Sequence, residues 1–453
     1  MSDPALINRR AAISRMGAGL GTLGLFGSLQ AATNQAPHFA PRAKRVIHLF
    51  MNGGPFGPDF MDPKPALKQF EGQRPEGTQL RTERPTGGLL DAPFQYAQHG
   101  QSGLPISELL PHTARHADDL CVLRSVYTDN PNHGPALLLM NNGTMTPKVP
   151  SMGAWLSYGL GTENANLPAY VVLCPGRPVR FSILWNSAFL PSQHQGVYLN
   201  HSNIKPKEMI PWLRNSQLDP MAQRKQLDLM HALNRDHLAT QNAPDRALQG
   251  RIKAMETAYR MQFEATDAFD ISKEPETVRE AYGKGHFANG CLLARRLSER
   301  GVRFIQVYYG NGQPWDTHNK HNETTPKLAQ SIDQPIAALL NDLKLRGMLE
   351  DTLIVWGGEF GRTPVSENGT GRDHNPHGFM MWLAGGGVRG GMSLGQTDDF
   401  GFKATHDRMH IHDLHATLLH LLGIDHERLT YRHAGRDYRL TDVHGTVAKK
   451  ILA

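Results

Sequence analysis

The sequence predicts an α/β protein with a mainly parallel central sheet flanked by helices, and three observations carry that expectation. Short apolar runs rich in Val, Ile, Leu and Phe recur along the chain and break off at turns or polar clusters, as strands buried on both faces do. Stretches of helical period lie between them, so strand and helix alternate as parallel sheets require. Asp, His and Glu residues follow several of these runs directly. Parallel sheets gather ligands at that end of their strands.

Taken in order, the chain opens with Arg9-Arg10 ahead of a Gly-rich, uncharged, moderately apolar run from Met16 to Ala32. That pattern resembles a twin-arginine export signal, so residues 1–36 are expected to be a signal and linker and the mature protein periplasmic or otherwise extracytoplasmic. The main domain is expected over 44–445. Residues 46–51 read as a buried strand closed by Asn52-Gly53-Gly54-Pro55, with Asp59 and Asp62 just beyond. A second strand at 120–126 runs toward Asp129 and His133, and a helix is expected over 135–140. After a strand at 168–173 the pattern turns irregular, and a largely helical insertion is expected at about 190–275. Within it Leu248, Ile252, Met255 and Tyr259 share one helical face, a stripe that reads as packing.

Residues 291–297 form a helix stopped near Gly301, and the strand at 302–309 delivers Trp315-Asp316-Thr317-His318. A helix from about 327 to 346 ends at Gly347. The strand at 352–356 follows and delivers Gly357-Gly358-Glu359-Phe360-Gly361-Arg362-Thr363-Pro364. The loop Gly371-Arg372-Asp373-His374-Asn375-Pro376-His377 precedes a short strand at 379–383, and residues 412–423 read as an amphipathic helix with a glycine stop. His410, His412 and His415, with Asp407 and Asp413, are read there as packing with exposed polar faces.

Composition narrows the function. With 48 Lys and Arg against 42 Asp and Glu the net charge is +6, yet the basic residues are dispersed, which argues against nucleic acid as the partner. Beyond the leader no segment approaches the roughly 18 apolar residues of a membrane span, so no transmembrane segment is expected in the mature protein. The three cysteines, Cys121, Cys174 and Cys291, are too scattered for a disulfide framework or a thiolate metal site. The 23 histidines matter more. Many sit beside carboxylates after apolar runs, which suits metal ligation or acid/base chemistry.

Asp59, Asp62, His133, Asp316, His318 and Glu359 each follow a predicted strand and are therefore expected to meet at one sheet edge, with Asp373, His374 and His377 beside them. Ligands of this kind suit one or two divalent ions among zinc, manganese, iron, magnesium and calcium. Gly385-x-Gly387-x-x-Gly390 fits a dinucleotide fingerprint formally, but no helix follows, so it is read as a turn. Cys174-Pro175-Gly176-Arg177 lacks the spacing of a sulfatase signature.

The segments His48-Leu49-Phe50-Met51-Asn52-Gly53-Gly54-Pro55, Asp62-Pro63-Lys64-Pro65, Trp315-Asp316-Thr317-His318, Gly358 to Pro364 and Gly371 to His374 together resemble the bacterial domain-of-unknown-function family 1501. The resemblance runs over nearly the whole chain. It implies an alkaline phosphatase-like and sulfatase-like fold, whose shared core binds one or two metals beside a nucleophile. It implies metal ligation by Asp59 or Asp62, by Asp316 and His318, and by Glu359 with His374 in place of a lost imidazole; Asp373, beside His374, joins the candidate ligands. Where sulfatases and phosphatases carry a modified Cys, Ser or Thr nucleophile, this chain has His133, which leaves three roles open: covalent nucleophile, ligand that activates water, or structural histidine. Arg362 or Arg372 is expected to hold the oxyanion, with a surface ion pair as the alternative. The implied activity is hydrolysis of an anionic phosphate or sulfate ester without formylglycine. The rival is a non-catalytic extracytoplasmic protein that binds a sulfated polysaccharide.

Overall fold

The computed structural model describes residues 36–209, 217–240 and 245–453, so the Arg9-Arg10 leader lies outside the described residues. Its central sheet is built from β1 (Arg45–Phe50), β4 (Leu120–Tyr127), β5 (Tyr170–Leu173), β6 (Val197–Leu199), β7 (Phe304–Tyr308), β8 (Thr352–Gly357), β11 (Phe379–Ala384) and β12 (Met392–Leu394), while β2 (Tyr96–His99) pairs β3 (Leu104–Ser107) and β9 (Gly361–Glu367) pairs β10 (Gly371–Asn375) as separate hairpins. The order across the sheet is β12-β4-β11-β8-β1-β7-β5-β6, with Met409–His410 adding a short parallel partner to β4. β1 is central, Ile47 facing Ile305 of β7 and Ile354 of β8 in parallel register. Only β11 runs against the others, antiparallel to both β4 and β8. Because β4 and β8 therefore point the same way as β1 and β7, their carboxyl ends share one edge.

The helices that position the site are α1 (His133–Asn142), α2 (Met152–Leu160), α3 (Pro220–Ala239), α4 (Arg246–Ala268), α5 (His286–Glu299), α6 (His321–Leu345) and α7 (Ile411–Leu421). Alternation along β1 divides the core between the two faces of the sheet. Ile47, Leu49 and Met51 pack in one apolar layer with Leu293 of α5 and Leu340 of α6. Val46 and Phe50 pack in the other with Leu137 of α1, Trp155 of α2 and Leu418 of α7. Each face thus buries a row of branched side chains, the largest favourable contribution to folding.

Three expectations are revised. Helix α6 starts at His321, not near residue 327, because the buried His321 is bonded to Thr317 and anchors a first turn that Pro326 does not break. Residues 371–377 are not all loop, since β10 pairs with β9 as an antiparallel hairpin. All of β9 and β10 is buried, and its charged residues are paired internally, so no apolar alternation betrays them. The stripe of Leu248, Ile252, Met255 and Tyr259 on α4 is only half-buried, with Arg224 of α3 bridging to Glu256 at 2.7 Å.

Candidate functional site

The site begins with the turn after β1. Gly53 has a φ of 116°, and a Cβ there would stand 2.5 Å from the Asp316 amide nitrogen, so the chain brings two loops into backbone contact at a glycine. The Gly53 amide donates to both carboxylate oxygens of Glu359, at 3.1 and 3.2 Å. Arg362, at the start of β9, donates from Nε to the Gly54 carbonyl at 3.1 Å and from Nη2 to the Gly53 carbonyl. The loops after β1, β7 and β8 are thereby tied together.

At the middle stands Asp316. Its Oδ1 lies 2.6 Å from Arg362 Nη2, 2.9 Å from His318 Nε2 and 3.0 Å from His374 Nε2, and its Oδ2 lies 3.2 Å from His133 Nε2. The far nitrogen of each imidazole meets a different carboxylate. His133 Nδ1 is 2.7 Å from Glu359, His374 Nδ1 is 2.5 Å from Glu83, and His318 Nδ1 is bonded to Glu367. Three carboxylate–imidazole pairs therefore aim their Nε2 atoms at one point. His133, Asp316 and His374 form one group able to grip a cation, and His318, Asp373 and His374 form another.

The electrostatics agree with the geometry. Burial opposes the charged form of Asp316, but hydrogen bonds to the three imidazoles and the Arg362 charge outweigh it and hold the carboxyl far below the usual carboxylate range. Burial likewise opposes protonation of His133, yet Asp316 and Glu359 raise it to about 9. His318 is also raised, burial losing to Asp316 and Glu367. His374 is lowered, chiefly by burial, with the Arg362 and His133 charges adding to it.

Of the residues expected from sequence, His133, Asp316, His318, Asp373 and His374 come together in these groups, and Glu359 stands directly behind His133. Asp59 and Asp62 lie outside both. Asp59 is fully buried on the turn Gly57–Asp59, its Oδ2 2.8 Å from His321 Nε2. Asp62 accepts from Thr397 Oγ1 at 3.0 Å and faces Lys64 at 3.4 Å. Arg372 is wholly buried over the Phe56 ring and donates to the carbonyls of Leu90, Asp91, Thr363 and Pro364, which leaves its guanidinium no freedom to meet an oxyanion. Arg362 is similarly committed, to Asp316 and to the Gly53, Gly54 and Arg372 carbonyls. His377 donates from Nε2 to the Arg81 carbonyl, 2.9 Å away. His412 and His415 meet the carbonyls of Gly143 and Met140 at 2.8 Å, as packing residues do.

Four participants were not anticipated. Glu83 and Arg84 come from a segment without strand or helix pattern, Arg84 placing its amide 2.6 Å from Asp373 Oδ2. Glu367 ends β9, a strand that the sequence pattern did not announce. His321 joins Asp59 to Thr317, whose Oγ1 is 2.6 Å from His321 Nδ1. The only hint of it in the sequence is its position three residues beyond the Asp316-Thr317-His318 run.

The donor set suits a divalent cation. It offers imidazole and carboxylate without thiolate, Asp373 Oδ1 is a buried atom without a hydrogen-bond partner among the described residues, and His133 Nε2 and His318 Nε2 are turned to Asp316.

A sequence model of the family described as a protein of unknown function (DUF1501) matches residues 43–452. The chain belongs to that family. No curated protein matches it in sequence. Among solved structures it is similar to the lipoteichoic acid synthase LtaP from Listeria monocytogenes, at 9% identity and a TM-score of 0.38 over 89% of this chain and 76% of that one. It is also similar to a PsFucS1 sulfatase from Pseudoalteromonas sp., at 14% identity and 0.34, covering 88% and 70%. A third likeness is to a histidine-to-glutamate mutant of TAB5 alkaline phosphatase with magnesium bound, at 10% and 0.34, covering 84% and 98%. Likenesses this low transfer no activity.

Proposed function

We propose that this chain is an exported, metal-dependent hydrolase of phosphate or sulfate esters, in which His133, Asp316, His318, Asp373 and His374 hold one or two divalent cations. One observation carries the reading: three imidazoles converge on Asp316, each with a carboxylate on its outer nitrogen. A carboxylate on Nδ1 fixes the tautomer, turns the ring and makes Nε2 a better donor, the support that metal-binding histidines almost always have. Ligation needs these imidazoles neutral, so a bound cation would displace the proton that Asp316 and Glu359 favour on His133 in its absence. Five carboxylates, Glu83, Asp316, Glu359, Glu367 and Asp373, surround the point, against the cations Arg362 and Arg84.

In this reading His133 is a ligand, because Glu359 engages one nitrogen and the other is aimed at the centre. Glu359 and Glu367 hold imidazoles in place. Arg362 holds Asp316 and the Gly53 turn together. A divalent cation bound there supplies a Lewis acid for the ester oxygen and lowers the pKa of a water.

Elemental analysis of purified protein, with turnover measured on a panel of phosphate and sulfate monoesters, tests the proposal. Stoichiometric metal with turnover, both lost in His133→Ala, is the expected result. Metal without any turnover instead supports a binding protein for a sulfated polysaccharide, and protein that binds no divalent metal refutes the metal-dependent hydrolase.

A further inference from the structure

Arg362 and Arg372 are buried against carbonyls, so a substrate anion needs another cation, and one stands free at the same sheet edge. We propose that Arg180 binds the tetrahedral oxyanion of the substrate, an inference that rests on reading the site as an ester hydrolase.

Arg180 lies in the segment that leaves the carboxyl end of β5. Its guanidinium lies flat on Gly134, the residue after His133: a Cβ there would stand 2.5 Å from Nη2, 2.8 Å from Nε and 3.0 Å from Cζ. The side chain is exposed. Among the described residues it has no carboxylate or carbonyl partner, whereas Arg84, Arg362 and Arg372 all do. Gly134 belongs to the first turn of α1, whose partial positive charge does not attract a guanidinium, so the contact with Gly134 is not itself an electrostatic one.

The segment itself holds it. The Arg177 amide donates to Asn311 Oδ1 at 2.7 Å, Pro178 bridges to Gly312, and the Phe181 ring packs on Trp185 at 5.1 Å and Tyr198 at 5.3 Å. The residues it docks on lead into Gln313, which donates to Glu359, and then to Asp316. Arg180 is therefore registered to the cluster through a short, seated stretch of chain. Arg180 and Phe181 have φ values of 69° and 38°, consecutive left-handed conformations that side chains other than glycine adopt at a cost. A glycine would relax the turn and an arginine stands there.

A guanidinium offers paired N–H groups that match two oxygens of a phosphate or sulfate. The test uses the full chain loaded with metal and titrated calorimetrically with inorganic phosphate and, separately, inorganic sulfate. Losing one charged hydrogen-bond donor should weaken the anion that binds by about 10- to 100-fold in Arg180→Ala, with metal content unchanged. Arg180→Lys should recover part of the loss. Arg180→Gly should lose as much affinity while its melting temperature stays level or rises, which a merely structural arginine would not do. Wild-type affinity in both Arg180→Ala and Arg180→Gly overturns the role of Arg180 and leaves the metal-hydrolase reading standing. Metal-loaded wild type that binds neither anion overturns both.

Discussion

Replacing Glu367 by Gln should weaken metal binding about tenfold without unfolding the protein. Glu367 is buried, with one oxygen on His318 Nδ1 and the other 3.1 Å from Arg84 Nη1. Glutamine keeps the volume and an acceptor oxygen for the imidazole N–H but removes the charge. A hydrogen bond to a charged acceptor contributes about 1–1.5 kcal/mol more than a neutral one, and about 1.4 kcal/mol is a factor of ten in affinity. Glu367→Ala removes the acceptor as well and should reach about 100-fold, the upper end for outer carboxylates of metal-bound histidines. Losing the Arg84 pair adds little, because that side chain is half exposed and such pairs contribute less than about 1 kcal/mol. Competition against a chelator of known affinity, with zinc and with manganese, measures the change, and circular dichroism verifies the fold. If Glu367→Gln and Glu359→Gln both stay folded and bind metal within about twofold of wild type, the carboxylate–imidazole pairs are not supporting a metal site.

Acid should destabilise the fold through the buried histidines His48 and His415, both pushed down to about 3, chiefly by burial. Their folded values lie below the unfolded value near 6.5, so the stabilisation is present above that pH and is lost as pH falls toward 3. Between pH 6 and 4.5 each should remove about 2 kcal/mol, and denaturant titrations should show His48→Leu flattening that slope, the idea failing if the slope is unchanged. Asp59→Asn should leave metal stoichiometry intact and lower stability by about 1–3 kcal/mol by weakening the buried bond to His321; a lost metal in elemental analysis would instead place Asp59 in the site. Lysine at both Arg9 and Arg10 should leave uncleaved protein in the cytoplasm on cell fractionation, and normal export of that variant would end the twin-arginine reading.

The sheet was legible because its strands are apolar on both faces. The runs in β1, β7 and β8 stand out without any partner being known, and the residues just beyond β7 and β8 reach the site by topology alone. What the sequence hid falls into two kinds. The β9–β10 hairpin hides because its buried residues include Arg362, Glu367, Arg372, Asp373 and His374, whose burial is tolerable only through pairings that a linear pattern does not display. The roles of Asp59 and Asp62 depend on direction. Each sits near a strand end, but the helical turn at residues 57–59 sends Asp59 toward His321, and Asp62 turns to Thr397. Glu83 was invisible for the opposite reason. It lies on an exposed stretch with no periodicity, recruited only through its bond to His374.

The residues that carry no chemistry explain how those that do are held. Asp316, Glu359 and His374 come from three separate segments, and side-chain hydrogen bonds alone would leave each free to shift with its own loop. Backbone contact removes that freedom. A Cβ at Gly53 would strike the Asp316 amide, and one at Gly371 would stand 1.8 Å from the His318 carbonyl oxygen, so both close approaches require glycine. The first fastens the turn after β1 to the loop after β7, and the second fastens that loop to β10, which carries Asp373 and His374. Glu359 and Arg362 then bond to the Gly53-Gly54 backbone rather than to one another. The imidazoles are thus aimed by a frame of main chain, and the precision a cation demands of its ligands is set before any cation is present.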